Sequence, residues 1–186
     1  MLLAGGRSRR MGLDKARLDL HGQPLWQRQV EVLRQTGAAE VMIAGPAEGP
    51  YAQSGLVILP DSAPGEGPVG GLLSALRAAA HPWLLVVAVD MPRLVPEPLR
   101  RLVQLAQEHG RGLVPQAGQH LHPLAAVYPT RMLPLVEGHW LKGERAMHRI
   151  VEAGVAQDHL TLWPWQEPAD FFANANTPEE WAKFGH

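Results

Sequence analysis

The stretch MLLAGGRSRRMGLDKARLDL, residues 1–20, places two leucines before a glycine pair and a series of arginines. Leu2 and Leu3 are typical of the end of a buried strand, and the glycines that follow predict a loop. In an open α/β sheet, ligands bind in the crevice beyond the carboxyl ends of the strands. The stretch therefore predicts an α/β fold whose first loop lies in the binding crevice.

Apolar runs and helix-like stretches alternate through the rest of the chain. Runs rich in Val, Ile and Leu predict further strands at 40–44, 56–60, 83–89, 112–115 and 123–129. Helical periodicity and suitable end residues predict helices at 24–37, 69–80 and 96–110, and helices are expected to dominate 129–186. The alternation predicts a Rossmann-like three-layer α/β/α fold with a mainly parallel central sheet.

Length, composition and charge exclude several classes of protein and of partner. A chain of 186 residues with 46% hydrophobic residues is expected to form one domain over 1–186. Its net charge of −1 argues against nucleic acid and membrane surfaces as partners. The absence of cysteine excludes disulfides and thiolate chemistry. The apolar run at 83–89 is shorter than the roughly 20 residues that span a bilayer, and the N-terminus lacks a signal-peptide profile, so we expect a cytoplasmic protein.

The loop after the first strand combines small residues with positive charge. Gly5 and Gly6 allow a phosphate to approach the backbone closely, where consecutive N–H groups form an anion-binding nest. Arg7, Arg10 and Lys15 add positive charge beside it. The loop matches neither the GxxxxGK[ST] nor the GxGxxG phosphate-binding motif. On its residues alone, it is equally compatible with a polyphosphate site and with a solvated basic turn.

Asp90 directly follows the most apolar predicted strand, in VVAVDMPRL. A carboxylate at that position is well placed to hold Mg²⁺, which proteins commonly bind through one or two carboxylates together with substrate phosphates. The alternative is a turn or a helix N-cap leading toward Pro92. Position alone leaves both interpretations open.

The segment LAGGRSRRMGLDKARL resembles the signature loop of the nucleoside-triphosphate transferases of the nucleotide-sugar pyrophosphorylase type. Later segments agree with that family in order and spacing: HGQPLWQRQVEVL, LPDSAPGEGPVGGLLSAL, AVDMPRL, HPLAAVYP and NANTPEEW. Together, GPVGG, DMP and NANTPEE resemble the guanylyltransferase branch that acts on the molybdenum cofactor. The resemblance implies a nucleotide-diphospho-sugar transferase fold in a single nucleotidyltransferase domain.

The resemblance also implies a reaction. Members of this branch transfer GMP from GTP to the terminal phosphate of molybdopterin and release pyrophosphate, with Mg²⁺ as cofactor. The attacking phosphate oxygen is already ionised at neutral pH, so positioning and charge neutralisation suffice. The implied partners are GTP, molybdopterin or the molybdenum cofactor, and transiently the molybdoenzymes or cofactor-delivery proteins.

Carried onto this sequence, the resemblance implies a set of site residues. The implied catalytic residues are Arg10, Lys15 and Asp90, with Asp90 as metal ligand. The implied nucleotide contacts are Leu3, Ala4, Gly5, Gly6, Lys15, Asp61, Gly70 and Asp90. We expect Asn174, Asn176 and His122 near the metal or the acceptor, because helix capping by Thr177 and Glu180 leaves the two asparagines unexplained.

Several alternatives remain at this level. A related enzyme that uses CTP or another acceptor shares the same motifs, and a noncatalytic GTP-binding module would retain Lys15 but not need Asp90. The asparagine that relatives often carry after the second strand is missing from VMIAGPAEGPY, so we expect backbone near Ala44 and Gly45 to replace it. The HLH sequence at 120–122 has a zinc-like spacing without an evident third ligand. Trp163 and Trp165 are interpreted as packing residues rather than as a pterin platform.

Overall fold

Where the structure describes the chain, its strands and helices form one eight-stranded sheet with helices on both faces, together with a small hairpin. The computed structural model describes residues 1–5, 15–60, 67–166, 168–175, 181 and 184. The strands are β1 (Leu2–Leu3), β2 (Asp19–Leu20), β3 (Gln23–Pro24), β4 (Met42–Ala44), β5 (Val57–Leu59), β6 (Trp83–Ala88), β7 (Gly112–Ala117), β8 (His120–Leu121), β9 (Ala125–Pro129) and β10 (Leu160–Pro164). The helices are α1 (Leu25–Gln35), α2 (Gly67–Ala78), α3 (Pro96–His109), α4 (Leu133–Leu141) and α5 (Met147–Ala156).

The sheet is mainly parallel, as the alternation predicts. Its order is β10-β7-β9-β6-β1-β4-β5, and β8 pairs with β7. β1 pairs in parallel with β4 on one side and with β6 on the other, so Leu2 lies between Ile43 and Val87. Within the sheet, β9 runs antiparallel to β6 and β7, and β8 runs antiparallel to β7. The hairpin of β2 and β3 stands apart from the sheet.

The two faces of the sheet carry separate cores because successive side chains of a strand point to opposite sides. Leu2 belongs to the core that includes Val30 of α1 and Leu102 of α3. Leu3 belongs to the opposite core, which includes Leu72 of α2 and Ile150 of α5. The three-layer arrangement is confirmed.

The prediction that helices dominate 129–186 misses one strand. α4 and α5 lie in this segment, but β10 follows them and pairs in parallel with β7 along its whole length. Within β10 only Leu160 is buried, while the residues from Thr161 to Trp163 are half-buried. An edge strand with a partly exposed surface lacks the continuous apolar run by which buried strands are recognised.

Gly71 brings α2 into close contact with β1. A Cβ atom added at Gly71 would lie 2.5 Å from Leu3 Cδ2 and 3.4 Å from Ala44 Cβ. An added Cβ would therefore require the Leu3 side chain to move. The close contact places α2 directly against the end of β1, from which the first loop begins.

We expect Gly112→Ala to destabilise the fold by about 2–3 kcal/mol, because the new Cβ would overlap the Val127 carbonyl oxygen and lie 2.6 Å from Leu160 Cδ2. The matched control is Gly138→Ala in the interior of α4, where no atom lies within 4 Å of the added Cβ. That control should raise stability by about 0.5–1 kcal/mol. Urea unfolding followed by circular dichroism measures both changes. Equal stability of the two variants would show that the sheet relaxes around position 112.

Candidate active site

The sheet has a topological switch point between β1 and β6. The chain proceeds from β1 through β4 to β5 on one side, then returns to place β6 on the other side of β1. In open α/β sheets, ligands bind at such a point, outside the carboxyl ends of the strands. The loops that follow β1 and β6 therefore define the candidate site.

Leu3, Ala4 and Gly5 lie where the sequence predicts nucleotide contacts, at the carboxyl end of β1. The N–H groups of Ala4 and Gly5 both donate to the Ala44 carbonyl, at 2.8 and 3.1 Å. The Leu3 carbonyl accepts a 3.0 Å hydrogen bond from the N–H of Val89. These bonds hold the start of the first loop between the ends of β4 and β6.

Gly45 lies directly beside this turn. A Cβ atom at Gly45 would overlap the Tyr51 hydroxyl and lie 3.1 Å from the backbone nitrogen of Gly5. A side chain at position 45 is therefore excluded. The segment that lacks the asparagine of many relatives thus presents bare backbone next to Gly5.

Asp90 and Asn174 are brought together although 84 positions separate them in the sequence. Asp90 follows β6 and is half-buried, and its carbonyl accepts a 2.9 Å hydrogen bond from the N–H of Ala175. The side chain of Asn174 is exposed at the same edge of the sheet. The last described part of NANTPEE is therefore anchored to the loop after β6.

His122 lies at this edge as well. The N–H of Ala88, the last residue of β6, donates to the Leu124 carbonyl at 2.8 Å. The ring of His122 stacks on Phe172, with centroids 3.9 Å apart and planes inclined by 16°. Phe172 precedes Asn174 by two residues. The structure thus places Asp90, Asn174 and His122 along one edge.

The environment of His122 disfavours protonation of its imidazole. Burial lowers the pKa of His122, and the positive charge of His120 lowers it further. Trp165 packs against Phe171 and Phe172, with centroid distances of 5.1 and 4.6 Å. Trp163 lies 5.4 Å from His109. Both tryptophans pack against protein, as their interpretation as packing residues predicts.

Some of the expected site residues cannot be placed. Gly6, Arg10, Asp61 and Asn176 lie outside the described residues. Lys15 begins a short 3-10 segment, Lys15–Arg17, and Gly70 is buried in α2.

Within the described part of the chain, no group of three or more His, Cys, Asp or Glu residues is arranged to hold a metal. Among the helices of that same part, none has the length and apolar character that a membrane span requires.

Sequence reasoning missed two residues of α1 that contact the loop after Asp90. Gln29 Nε2 donates to the Met91 carbonyl at 2.6 Å, and Arg28 Nε donates to the Pro92 carbonyl at 3.2 Å. The sequence feature that could have identified Gln29 is a glutamine within the apolar stripe of the helix, between Trp26 and Leu33.

In this mainly parallel α/β sheet, Gly5 follows β1 and Asp90 follows β6, as the resemblance to the nucleoside-triphosphate transferases implies. Residues 1–160 match the family model described as a MobA-like NTP transferase domain. The chain belongs to this MobA-like family.

Similar proteins support the assignment to this family. A probable molybdenum cofactor guanylyltransferase of Opitutus terrae is 41% identical, over 96% of this chain and 90% of its own. The molybdenum cofactor guanylyltransferase of Pseudomonas entomophila is 30% identical, over 96% and 93%.

Solved structures share the fold. Molybdopterin-guanine dinucleotide biosynthesis protein A of Archaeoglobus fulgidus superposes with a TM-score of 0.82 at 24% identity, covering 99% of this chain and 95% of its own. The 2-C-methyl-D-erythritol 4-phosphate cytidylyltransferase of Thermus thermophilus gives 0.73 at 20% identity, covering 99% and 95%. The nucleotide-diphospho-sugar transferase fold is confirmed.

The lowered pKa of His122 predicts a pH-dependent stability. The unfolded chain binds a proton near the ordinary histidine pKa of about 6.5, whereas the folded chain resists protonation at this site. This contribution is therefore present above about pH 6.5 and is lost as the pH falls toward the lowered folded pKa. We expect His122→Gln to lose less unfolding free energy than the wild type between pH 7.5 and 5.5, measured by urea unfolding. Parallel losses in both proteins would contradict the shift.

Proposed function

We propose that this protein transfers GMP from GTP to the terminal phosphate of molybdopterin, forming the guanine dinucleotide cofactor and releasing pyrophosphate. The observation that carries the proposal is the placement of Asp90 beside the glycine turn of β1, across the Val89–Leu3 hydrogen bond. The relatives named as guanylyltransferases support the choice of nucleotide and acceptor. We place the reaction in the cytoplasm, where GTP is supplied.

In this proposal the loop after β1 binds the nucleotide. Backbone groups of Leu3, Ala4 and Gly5 contact the nucleotide, and Gly6 lets its phosphates approach. Asp61 accepts hydrogen bonds from the guanosine, and Gly70 in α2 lies beneath it. Guanine donates through its N1–H and 2-amino groups, so a carboxylate or loop carbonyls discriminate in its favour.

The chemistry is displacement at the α-phosphorus of GTP. An ionised oxygen of the acceptor phosphate forms a bond to that phosphorus, and the bond to the bridging oxygen of the β-phosphate breaks. Pyrophosphate leaves with the electron pair, so no protein group needs to remove a proton. Arg10 and Lys15 stabilise the charge that develops on the leaving group.

Asp90 is the residue that would hold Mg²⁺. The described residues offer one carboxylate here rather than a complete cluster, which fits an ion whose remaining ligands are phosphates and water. Bound Mg²⁺ supplies charge neutralisation on the phosphate oxygens. Asn174 and Asn176 would contact the metal or the phosphates, and His122 would contact the acceptor.

Turnover with GTP, Mg²⁺ and molybdopterin, followed by mass analysis, tests the reaction directly. We expect a guanylylated pterin and a preference for GTP over CTP and ATP of about 10- to 100-fold. Such a ratio follows from leaving a buried acceptor unpaired, at about 1–3 kcal/mol. Equal use of CTP would favour the related cytidylyltransferase activity, whose fold this chain shares. Binding of GTP without any transfer would favour a noncatalytic module.

Replacing Asp90 tests the proposed metal ligand. We expect Asp90→Asn to remain folded but to lose at least about 100-fold in transfer at 1 mM Mg²⁺, because the metal loses its protein carboxylate. The matched control is Asp158→Asn, which removes one exposed ion pair to Arg111 at a left-handed position that asparagine tolerates. That control should keep normal turnover. Normal Mg²⁺-dependent turnover by Asp90→Asn would assign the metal to another residue.

A further inference from the structure

Gln29 is an unusual residue for the core of this protein. It lies on α1 with no exposed surface, and it is the one polar or charged side chain counted as buried in the part of the chain that the structure describes. Its neighbours in the same core are apolar, among them Leu25, Val30 and Leu33. A buried amide in such surroundings requires a specific partner.

The partner is the loop that follows Asp90. Gln29 Nε2 donates to the Met91 carbonyl at 2.6 Å, and the adjacent Arg28 donates through Nε to the Pro92 carbonyl at 3.2 Å. Two consecutive residues of one helix thus hold the two consecutive carbonyls after the proposed metal ligand. From the other side, Ala175 N–H holds the carbonyl of Asp90 itself.

Gln29 stabilises the core less than an apolar side chain of the same size would. Its Oε1 is buried without a hydrogen-bond partner among the described residues. An unpaired buried acceptor is destabilising, and an apolar side chain of the same size would avoid this penalty. The hydrogen bond from Nε2 to the Met91 carbonyl therefore explains the position of this amide better than side-chain packing does.

We infer that Gln29 and Arg28 are positioning residues that fix the backbone on which the Asp90 carboxylate is presented. This inference rests on the proposed role of Asp90 as metal ligand. Gln29 makes the larger contribution, because its bond is short and fully buried. Arg28 contributes less, because it is half-buried and borders a cavity of about 560 Å³ that Pro92 also lines.

The decisive variant is Gln29→Met, which keeps the side-chain length and removes both the donor and the unpaired Oε1. The matched control is Gln27→Met, at an exposed glutamine two positions earlier on the same helix. Mn²⁺ binding to the nucleotide-free protein, followed by electron paramagnetic resonance, reports metal affinity independently of turnover. Hydrogen exchange of the amides at 89–94 reports how firmly the loop is held.

For Gln29→Met we expect Mn²⁺ affinity to fall about five- to tenfold, the effect of one lost hydrogen bond, with faster exchange at 89–94. Thermal stability should change little, because the unpaired Oε1 is removed while the Met91 carbonyl loses its donor. In turnover, the Mg²⁺ concentration for half-maximal rate should rise by the same factor, while the rate at saturating Mg²⁺ changes little. Gln27→Met should match the wild type in every measurement.

A second variant, Arg28→Gln, keeps the inference testable if Gln29→Met fails to fold, and it should weaken Mn²⁺ binding about two- to threefold. The inference is overturned if a folded Gln29→Met or Arg28→Gln variant binds Mn²⁺ as tightly as the wild type does. Mn²⁺ binding by Asp90→Asn then shows whether the proposed metal ligand is wrong as well. If Asp90→Asn loses binding while Gln29→Met and Arg28→Gln do not, the positioning role is wrong and the proposed metal ligand stands. If Asp90→Asn binds Mn²⁺ as the wild type does, both the metal ligand and the positioning role are wrong. The guanylyl transfer reaction is tested separately, by mass analysis of its product.

Discussion

The parallel pairing of β1 with β6 is the constraint on which the site depends. The hydrogen bond from Val89 N–H to the carbonyl of Leu3, the last residue of β1, continues the ladder one residue beyond the end of β6. The chain after β1 and Asp90 after β6 consequently leave the sheet side by side. Gly71 packs closely against Leu3, so the helix layer behind the sheet lies directly against the end of β1.

The electrostatic character of the site follows from local placement rather than from overall charge. A chain with a net charge of −1 cannot attract a triphosphate through a general positive field. Five of its 17 lysine and arginine residues instead lie in the short segment 7–17, which follows β1 in the sequence. Burial lowers the pKa of His122, so a positive charge on this ring is disfavoured beside Asp90 and Asn174.

The sequence predicted the parts of the fold that have a strong local signal. The buried strands β4, β6 and β9 are continuous apolar runs, and the glycine turn and Asp90 follow strand ends directly. β10 was missed because it is a half-buried edge strand. The approach of Asn174 to the Asp90 loop depends on a backbone hydrogen bond between distant segments, and no residue spacing encodes such a bond. In the sequence, Gln29 stands out only as a polar residue within the apolar stripe of a helix. Nothing in the sequence indicates which group its side chain contacts.

The contacts of α1 connect the loop after β6 to a helix from the other side of the switch point. In the sequence, the hairpin of β2 and β3 precedes α1, whose first two turns carry Arg28 and Gln29. Those two residues hold the carbonyls that follow Asp90, on the other side of the switch point. One helix that follows β1 in the sequence is thus held to the loop that carries Asp90. The position of that loop therefore depends on the packing of α1 as well as on its connection to β6.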